Sequence, residues 1–138
     1  MSAFSRSIRV ATRRRALVLV TGEVDAVVRA SGLTVGICNV FIQHTSASLL
    51  ITENADPDVH VDLEGFMSDL VEDGDRRFRH TAEGPDDMSA HIRSVLTATS
   101  ITLPVRAGRL ALGTWQGLYV WEHRQSPHSR VLEVSVVG

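Results

Sequence analysis

The sequence has no lysine and only one cysteine among its 138 residues, and all 14 of its basic residues are arginine. A lysine Schiff base, a lysine general base and a Walker-type phosphate loop each require a lysine, so these chemistries are excluded. Cys38 alone cannot form an internal disulfide or a multi-cysteine zinc site. Its setting, TVGICNVFI, is typical of a buried strand, and we expect the thiol to be packed and inert.

Long apolar runs and aromatic residues are also scarce. No apolar run approaches the ~20 residues that cross a bilayer. The N-terminal arginines precede only the short run ALVLV, which is too short for a signal peptide. We therefore expect a cytoplasmic protein with no membrane partner. With 5% aromatic residues and a net charge of −2, the composition also argues against a nucleic-acid partner.

The charge is unevenly distributed along the chain. Residues 53–87 hold twelve of the 16 acidic residues and three of the arginines, while the rest of the chain is basic. We expect these acidic charges to lie on exposed faces, with Asp56 as a helix cap or a pocket residue.

The length fits a single domain over residues 1–138. The order of elements, ββαββα followed by C-terminal strands, predicts an α+β fold with two or three helices and a largely antiparallel β-sheet. Residues 4–20 are predicted to form a hairpin with its turn near residues 12–15. Helices are predicted at 21–32, from Asp56-Pro57 to about 70, and at 89–97. Strands are predicted at 33–43, 49–52, 101–105, 109–114, 118–123 and 131–137.

Two of these helices have apolar residues at helical spacing. In the helix that begins after Asp56, Val59, Leu63, Phe66, Met67 and Leu70 fall on one face. In the helix at 89–97, the inward residues are predicted to be Ile92, Val95 and Leu96. Both faces are expected to pack against the sheet.

Six histidines are present, and three of them could hold a zinc ion with one position open. There is no HExxH motif and no helical histidine pair at i, i+4. The spacing alone therefore leaves two alternatives open, which are a three-histidine metal site and scattered surface or capping histidines.

Three further segments carry short polar or aromatic groups. The runs QHTSAS (43–48) and TENADP (52–57) fit either phosphate binding or a turn followed by a helix cap. The carboxylates at 83–87 fit either a Mg²⁺ site or a solvated loop. In GTWQG (113–117), Trp115 could stack on a planar heterocycle and Gln116 could read its edge, or Trp115 could be a core residue.

These segments together resemble the YjbQ family. The matching motifs are FIQHTSAS (41–48), TENADP (52–57), FRHTAEG (78–84) with DMSAH (87–91), and LGTWQG (112–117) with EHR (122–124). The resemblance implies a homotrimer with an α+β fold. It also implies a secondary thiamine-phosphate synthase activity, which joins a hydroxymethylpyrimidine diphosphate to a thiazole phosphate and releases pyrophosphate. The alternative is a metal-dependent binding protein or hydrolase for a phosphorylated metabolite.

The resemblance also implies a set of site residues and a divalent metal cofactor, with zinc as the first choice and magnesium as the second. His123 matches only some members of the family, and the last turn, SPHSR (126–130), keeps only the arginine of the usual motif. The metal ligands are expected to be His44, His80 and His91, and the catalytic residues Asp56 and Glu122. The residues expected to bind substrate are Thr45, Ser46, Ser48, Glu53, Asn54, Trp115, Gln116 and Arg130.

Overall fold

A computed structural model describes residues 1–138, which form eight strands and three helices in the order ββαββααββββ. The strands are β1 (Ala3–Ala11), β2 (Leu17–Leu19), β3 (Val35–Ile42), β4 (Ala47–Glu53), β5 (Ser100–Arg106), β6 (Arg109–Leu110), β7 (Gln116–Glu122) and β8 (Ser129–Val137). The helices are α1 (Thr21–Ser31), α2 (Pro57–Leu70) and α3 (Asp87–Leu96). None of them combines the length and apolar character that a bilayer-spanning helix needs. The predicted α+β class with three helices is confirmed.

The strands form two antiparallel sheets. The larger sheet has the order β1-β8-β3-β5-β6, and the smaller has the order β2-β7-β4. In the smaller sheet Ala47 pairs with Glu122 at one end of β4, and Glu53 pairs with Gln116 at the other. This register fixes which polar residues meet at each end of the small sheet.

The main core lies between the two sheets and α1. Alternate residues of each strand point inward, such as Leu118 and Val120 of β7 and Val134 of β8, and they meet Val24 and Val28 of α1. Cys38 belongs to this core and is fully buried, as predicted. A second, smaller core covers the other face of β7, where α2 and α3 pack. Its buried members are Leu17, Met67, Val71, Tyr119 and Trp121.

Two helix ends follow from local chemistry. Gly32 ends α1 in the left-handed conformation with φ of 70°, which glycine adopts without a steric penalty. Asp56 begins α2, where its side chain accepts a hydrogen bond from the backbone N–H of Asp58 at 2.9 Å, and Pro57 occupies the first turn. Both ends lie where the sequence predicts them.

Two predictions about packing are wrong. The strands in residues 4–20 do not form a hairpin, because β1 pairs with β8 and β2 pairs with β7 in the other sheet. The predicted apolar helix faces are only partly buried, since Phe66 of α2 is 70% exposed and Val95 of α3 is 82% exposed. In α3 the buried positions are instead Asp87, Ser89, Ala90, Arg93 and Ser94.

Candidate functional site

Two of the predicted metal ligands meet two carboxylates at the start of α3. His80 and Glu83 come from the loop before the helix, and Asp87 and His91 come from its first two turns. Their ligand atoms all lie within 4.8 Å of one another. Nε2 of His80 is 2.6 Å and Nε2 of His91 is 3.0 Å from the same oxygen of Asp87, Oδ2. This set is hereafter the His–Asp cluster.

The orientation of His91 is fixed by the polar segment before β4. Nδ1 of His91 lies 2.9 Å from the carbonyl oxygen of Thr45, which can only accept a hydrogen bond. Nδ1 therefore carries a proton, and Nε2 is the nitrogen that faces Asp87. Metal-binding histidines usually have a hydrogen bond of this kind at the second ring nitrogen.

Asp87 is held from the opposite side by an arginine. Nη1 of Arg124 lies 2.8 Å from Oδ1 of Asp87, and the Asp87 side chain is only 3% exposed. Burial favours the neutral acid, but the hydrogen bond with His80 and the nearby cationic groups outweigh it and lower the pKa of Asp87. The hydrogen bond to Asp87 raises the pKa of His80.

The loop that carries His80 is tied to the sheet by a second ion pair. Arg15 donates from Nη1 to Asp73 at 2.8 Å and from Nη2 at 2.5 Å. Ser89 and Gln125 also donate to this carboxylate. Burial raises the pKa of Asp73, but the hydrogen bonds from Arg15, Ser89 and Gln125 prevail and lower it to about 2. These contacts anchor the loop at its start and place His80 next to α3.

His44 lies outside the His–Asp cluster. Its Nε2 accepts a hydrogen bond from the backbone N–H of Val131 at 2.8 Å, so the lone pair that a metal would need is already used. The prediction of His44 as a third histidine ligand does not fit this arrangement. His44 and His91 do line the same cleft, which has a volume of about 450 Å³.

Glu122 and Arg130 form a buried ion pair beside His44. Glu122 is fully buried and accepts from Nε of Arg130 at 2.8 Å and from Thr12 at 2.6 Å. Burial raises the pKa of Glu122, and the hydrogen bonds from Arg130 and Thr12 lower it further than burial raises it. Nη2 of Arg130 also donates to Oγ of Ser46 at 3.0 Å. These two side chains satisfy each other, so their contacts are structural.

The remaining residues of the QHTSAS run do not form an exposed phosphate loop. Thr45 is exposed, but Ser46 and Ser48 are buried. Oγ of Ser48 lies 2.8 Å from Nε2 of His123, which is itself fully buried. Burial and the nearby arginines lower the pKa of His123 to about 3.

The other predicted substrate-binding residues lie at the far end of the small sheet. Asn54 donates to the carbonyl oxygens of Thr114 and Gln116, and it thereby holds the loop that carries Trp115. Trp115 is 64% exposed, so the alternative of a core tryptophan is wrong. Oε1 of Gln116 accepts from the backbone N–H of Gly113. Glu53 and Asp56 lie at the same end, where both interact with the start of α2.

The predicted site is therefore divided into two groups along β4. Glu53 is six positions after Ala47, and a strand rises about 3.3 Å per residue, so the two ends lie about 20 Å apart. The His–Asp cluster and His44 lie at the first end, and Trp115, Gln116, Asn54, Glu53 and Asp56 lie at the second. Within one chain, Trp115 cannot stack on a small molecule bound at the cluster.

Sequence reasoning missed Asp87 and Arg124. Asp87 and His91 are four residues apart on a helix, which brings their side chains to one face, and this spacing could have indicated the pair. From the sequence, the carboxylates at 83–87 were considered only as a Mg²⁺ site that does not include the histidines. Arg124 belongs to the motif EHR (122–124), but nothing in the sequence indicates that it reaches Asp87 from the end of β7.

The comparisons with known proteins agree with the motifs. The family model described as "UPF0047 protein YjbQ-like" matches residues 6–138. A UPF0047 protein of Synechocystis sp. is 54% identical over 94% of this chain and 88% of its own length. The YjbQ protein of Escherichia coli O157:H7 is 37% identical over 98% of both chains.

Solved structures match over the same extent. A conserved protein of Thermus thermophilus superposes with a TM-score of 0.86 at 33% identity, covering 96% of this chain and 99% of that one. A YbjQ-like protein of Sulfolobus solfataricus gives a TM-score of 0.88 at 27% identity, covering 99% of this chain and 98% of that one. The chain belongs to the YjbQ-like UPF0047 family.

Proposed function

We propose that this protein uses a divalent metal ion, held by His80, Asp87 and His91, to bind and transform a small phosphorylated metabolite. The observation that carries the proposal is the convergence of two imidazole Nε2 atoms on Oδ2 of Asp87. The His91 lone pair and a carboxylate oxygen repel each other at 3.0 Å unless a proton or a cation lies between them. A bound cation would turn this repulsion into coordination.

The donor types favour zinc over magnesium. Zinc binds imidazole nitrogen and carboxylate oxygen together, whereas magnesium prefers oxygen donors alone. His80, Asp87 and His91 would supply three protein ligands, the number found in catalytic zinc sites. Glu83, whose side chain is 64% exposed, could serve as a fourth ligand or as a proton acceptor.

The chemistry available at such a centre suits phosphorylated substrates. A bound divalent ion acts as a Lewis acid toward phosphoryl oxygens. The chain itself orients the ligands, since Thr45 holds His91 and Arg124 holds Asp87. Two cavities adjoin the cluster, one of about 380 Å³ lined by His80 and one of about 450 Å³ lined by His91. Both are large enough for a small metabolite.

The specific reaction that the resemblance implies is thiamine-phosphate synthesis. Loss of pyrophosphate from a pyrimidine diphosphate needs charge neutralisation at the leaving group, and a metal at the cluster would provide it. The alternative is a metal-dependent binding protein or hydrolase. Trp115 and the cluster lie at opposite ends of β4, which is about 20 Å long, and this separation favours the alternative for an isolated chain, because the proposed pyrimidine platform is then out of reach.

We also propose that the protein is a homotrimer. Large apolar side chains are exposed on α2 and α3, including Phe66, Leu70, Val95 and Leu96. Apolar surface of this kind marks a protein interface more often than a free surface. Light scattering should give about three times the chain mass of 15.1 kDa. A mass near that of one chain would contradict the proposal.

Metal analysis of protein purified without a histidine tag tests the centre directly. Wild type titrated with zinc should hold about one equivalent, and His80→Gln, His91→Gln and Asp87→Ala should each hold much less. His60→Gln is the matched control, because His60 hydrogen-bonds to Glu53 at the other end of the small sheet. If wild type takes up no zinc, manganese or nickel, the proposal is wrong.

The reaction is tested with the metal-loaded protein and both substrates. Thiamine phosphate formed by wild type, and lost in Asp87→Ala, would support the synthase. Phosphate or pyrophosphate released from either substrate alone would support a hydrolase. A ligand-induced rise in melting temperature without turnover would support a binding protein.

A further inference from the structure

The tautomer of His44 is fixed by its contacts. The backbone N–H of Val131 donates to Nε2 at 2.8 Å, and a backbone N–H can only donate. Nε2 therefore carries the lone pair, and the proton of the neutral ring lies on Nδ1. Burial and the charge of Arg130 lower the pKa of His44, which favours the neutral ring.

The N–H group at Nδ1 has no acceptor in this arrangement. Nδ1 lies 3.4 Å from Nη1 of Arg130, and a guanidinium nitrogen is also a donor. Two donors cannot satisfy each other. The His44 N–H group is therefore left without an acceptor from this chain, and the His44 side chain lines the cleft.

The cleft between His44 and His91 offers no charge that would repel an anion. It is lined by His44, Thr45, His91, Ser94, Val95, Thr97 and Thr99, with no aspartate or glutamate among them. The hydroxyls of Ser94 and Thr97 donate to the backbone carbonyls of Ala47 and Arg93. The hydroxyls of Thr45 and Thr99 make no side-chain hydrogen bond within the chain, so they add donors at the surface of the cleft.

We infer that this cleft binds a phosphoryl oxygen of the substrate, with the Nδ1–H of His44 as the hydrogen-bond donor. The inference rests on the proposed function, because His91, which also lines the cleft, is a proposed metal ligand. His44 acts as a substrate-binding residue and not as a metal ligand.

Two substitutions at His44 separate its two nitrogen atoms. In His44→Gln the amide lies near the position of Nε2, so its oxygen can still accept from Val131, but the donor at Nδ1 is lost. In His44→Asn the amide lies near Nδ1, so a donor remains in the cleft while the N–H of Val131 loses its acceptor. His60→Gln is the control for a histidine outside the cleft.

The test measures zinc content and the affinity of the zinc-loaded protein for inorganic pyrophosphate by calorimetry. We expect His44→Gln to keep the zinc stoichiometry of wild type but to bind pyrophosphate about tenfold more weakly or worse, since a hydrogen bond to a charged group is lost. His44→Asn should bind within about threefold of wild type, with a lower melting temperature. His60→Gln should match wild type in affinity.

Three results would overturn the inference. Loss of zinc from His44→Gln would show that His44 is a metal ligand. Equal pyrophosphate affinity in His44→Gln and wild type would show that His44 does not bind the substrate. Absence of pyrophosphate binding by wild type would exclude the subsite itself. If wild type takes up no metal, the proposed function is wrong. The pyrophosphate affinities of wild type and His44→Gln are then compared on the metal-free protein, and this comparison decides the role of His44.

Discussion

Nη1 of Arg124 forms an ion pair with Oδ1 of Asp87 at 2.8 Å, while the other oxygen of this carboxylate faces His80 and His91. The arginine thus sets the rotation of the Asp87 side chain. It is itself fixed by a second carboxylate, because its Nε donates to Asp86 at 3.0 Å. The orientation of the proposed ligand depends on a residue that cannot itself bind a metal.

Replacing Arg124 should therefore weaken metal binding without removing a ligand. We expect Arg124→Gln to lower zinc affinity by about 10- to 100-fold, as is typical when a residue that orients a metal ligand is lost. Competition with a zinc-binding dye measures the affinity. Arg109→Gln is the control, because Arg109 is an exposed arginine that also contacts an aspartate, Asp25. Equal affinities in the two variants would contradict the orienting role.

The Glu122–Arg130 pair should behave as a structural unit. Removing one partner leaves the other charge buried and unpaired, so Glu122→Ala should lower the free energy of unfolding by about 3–5 kcal/mol. Urea denaturation measures the change. The double variant Glu122→Leu/Arg130→Met should be far less destabilised than the sum of the single changes, because no charge is left buried. Additive losses would show that the two residues act independently.

The features that could be predicted from the sequence are those that depend on neighbouring residues. Asp56-Pro57 marks the start of α2 and Gly32 marks the end of α1, because a cap needs only the chain within a few residues of it. The short segment between His80 and His91 also predicts that the two side chains can meet, and they do. Their role as metal ligands remains a prediction.

The features that could not be predicted depend on distant partners. Arg93 is not among the residues predicted to face inward on α3, yet it is buried, because its guanidinium reaches Glu64 on α2 and the carbonyl of Val71. The separation of Trp115 from the histidines follows from the register of β4 with β7, which the sequence does not reveal. Similarly, β1 and β2 are neighbours in the chain and yet pair in different sheets.

Burial of His123 should make stability depend on pH. The folded state keeps the imidazole neutral, with a pKa lowered from 6.5 to about 3. Below pH 6.5 the unfolded chain binds a proton that the folded chain does not. This contribution to stability is complete above pH 6.5 and is lost as the pH falls toward 3, at about 1.4 kcal/mol per pH unit.

The variant His123→Gln isolates this effect. Between about pH 7 and pH 5, the free energy of unfolding of wild type should fall by about 2 kcal/mol more than that of the variant. Urea denaturation at the two pH values measures the difference. The same change with pH in both proteins would mean that His123 is protonated in the folded state or accessible to solvent.

Asp56 was predicted to be catalytic, but its contacts are those of a helix cap. Its carboxylate accepts from the backbone N–H of Asp58 at the first turn of α2, at the end of β4 remote from the His–Asp cluster. Loss of a capping side chain costs about 1 kcal/mol, so Asp56→Ala should lower the free energy of unfolding by about that amount.

Asp62→Ala is the control on the same helix, where an exposed carboxylate should contribute less than about 0.5 kcal/mol. Zinc content and pyrophosphate affinity should be unchanged in both variants. A loss of turnover or ligand binding in Asp56→Ala, at unchanged stability, would instead place this residue in a binding site.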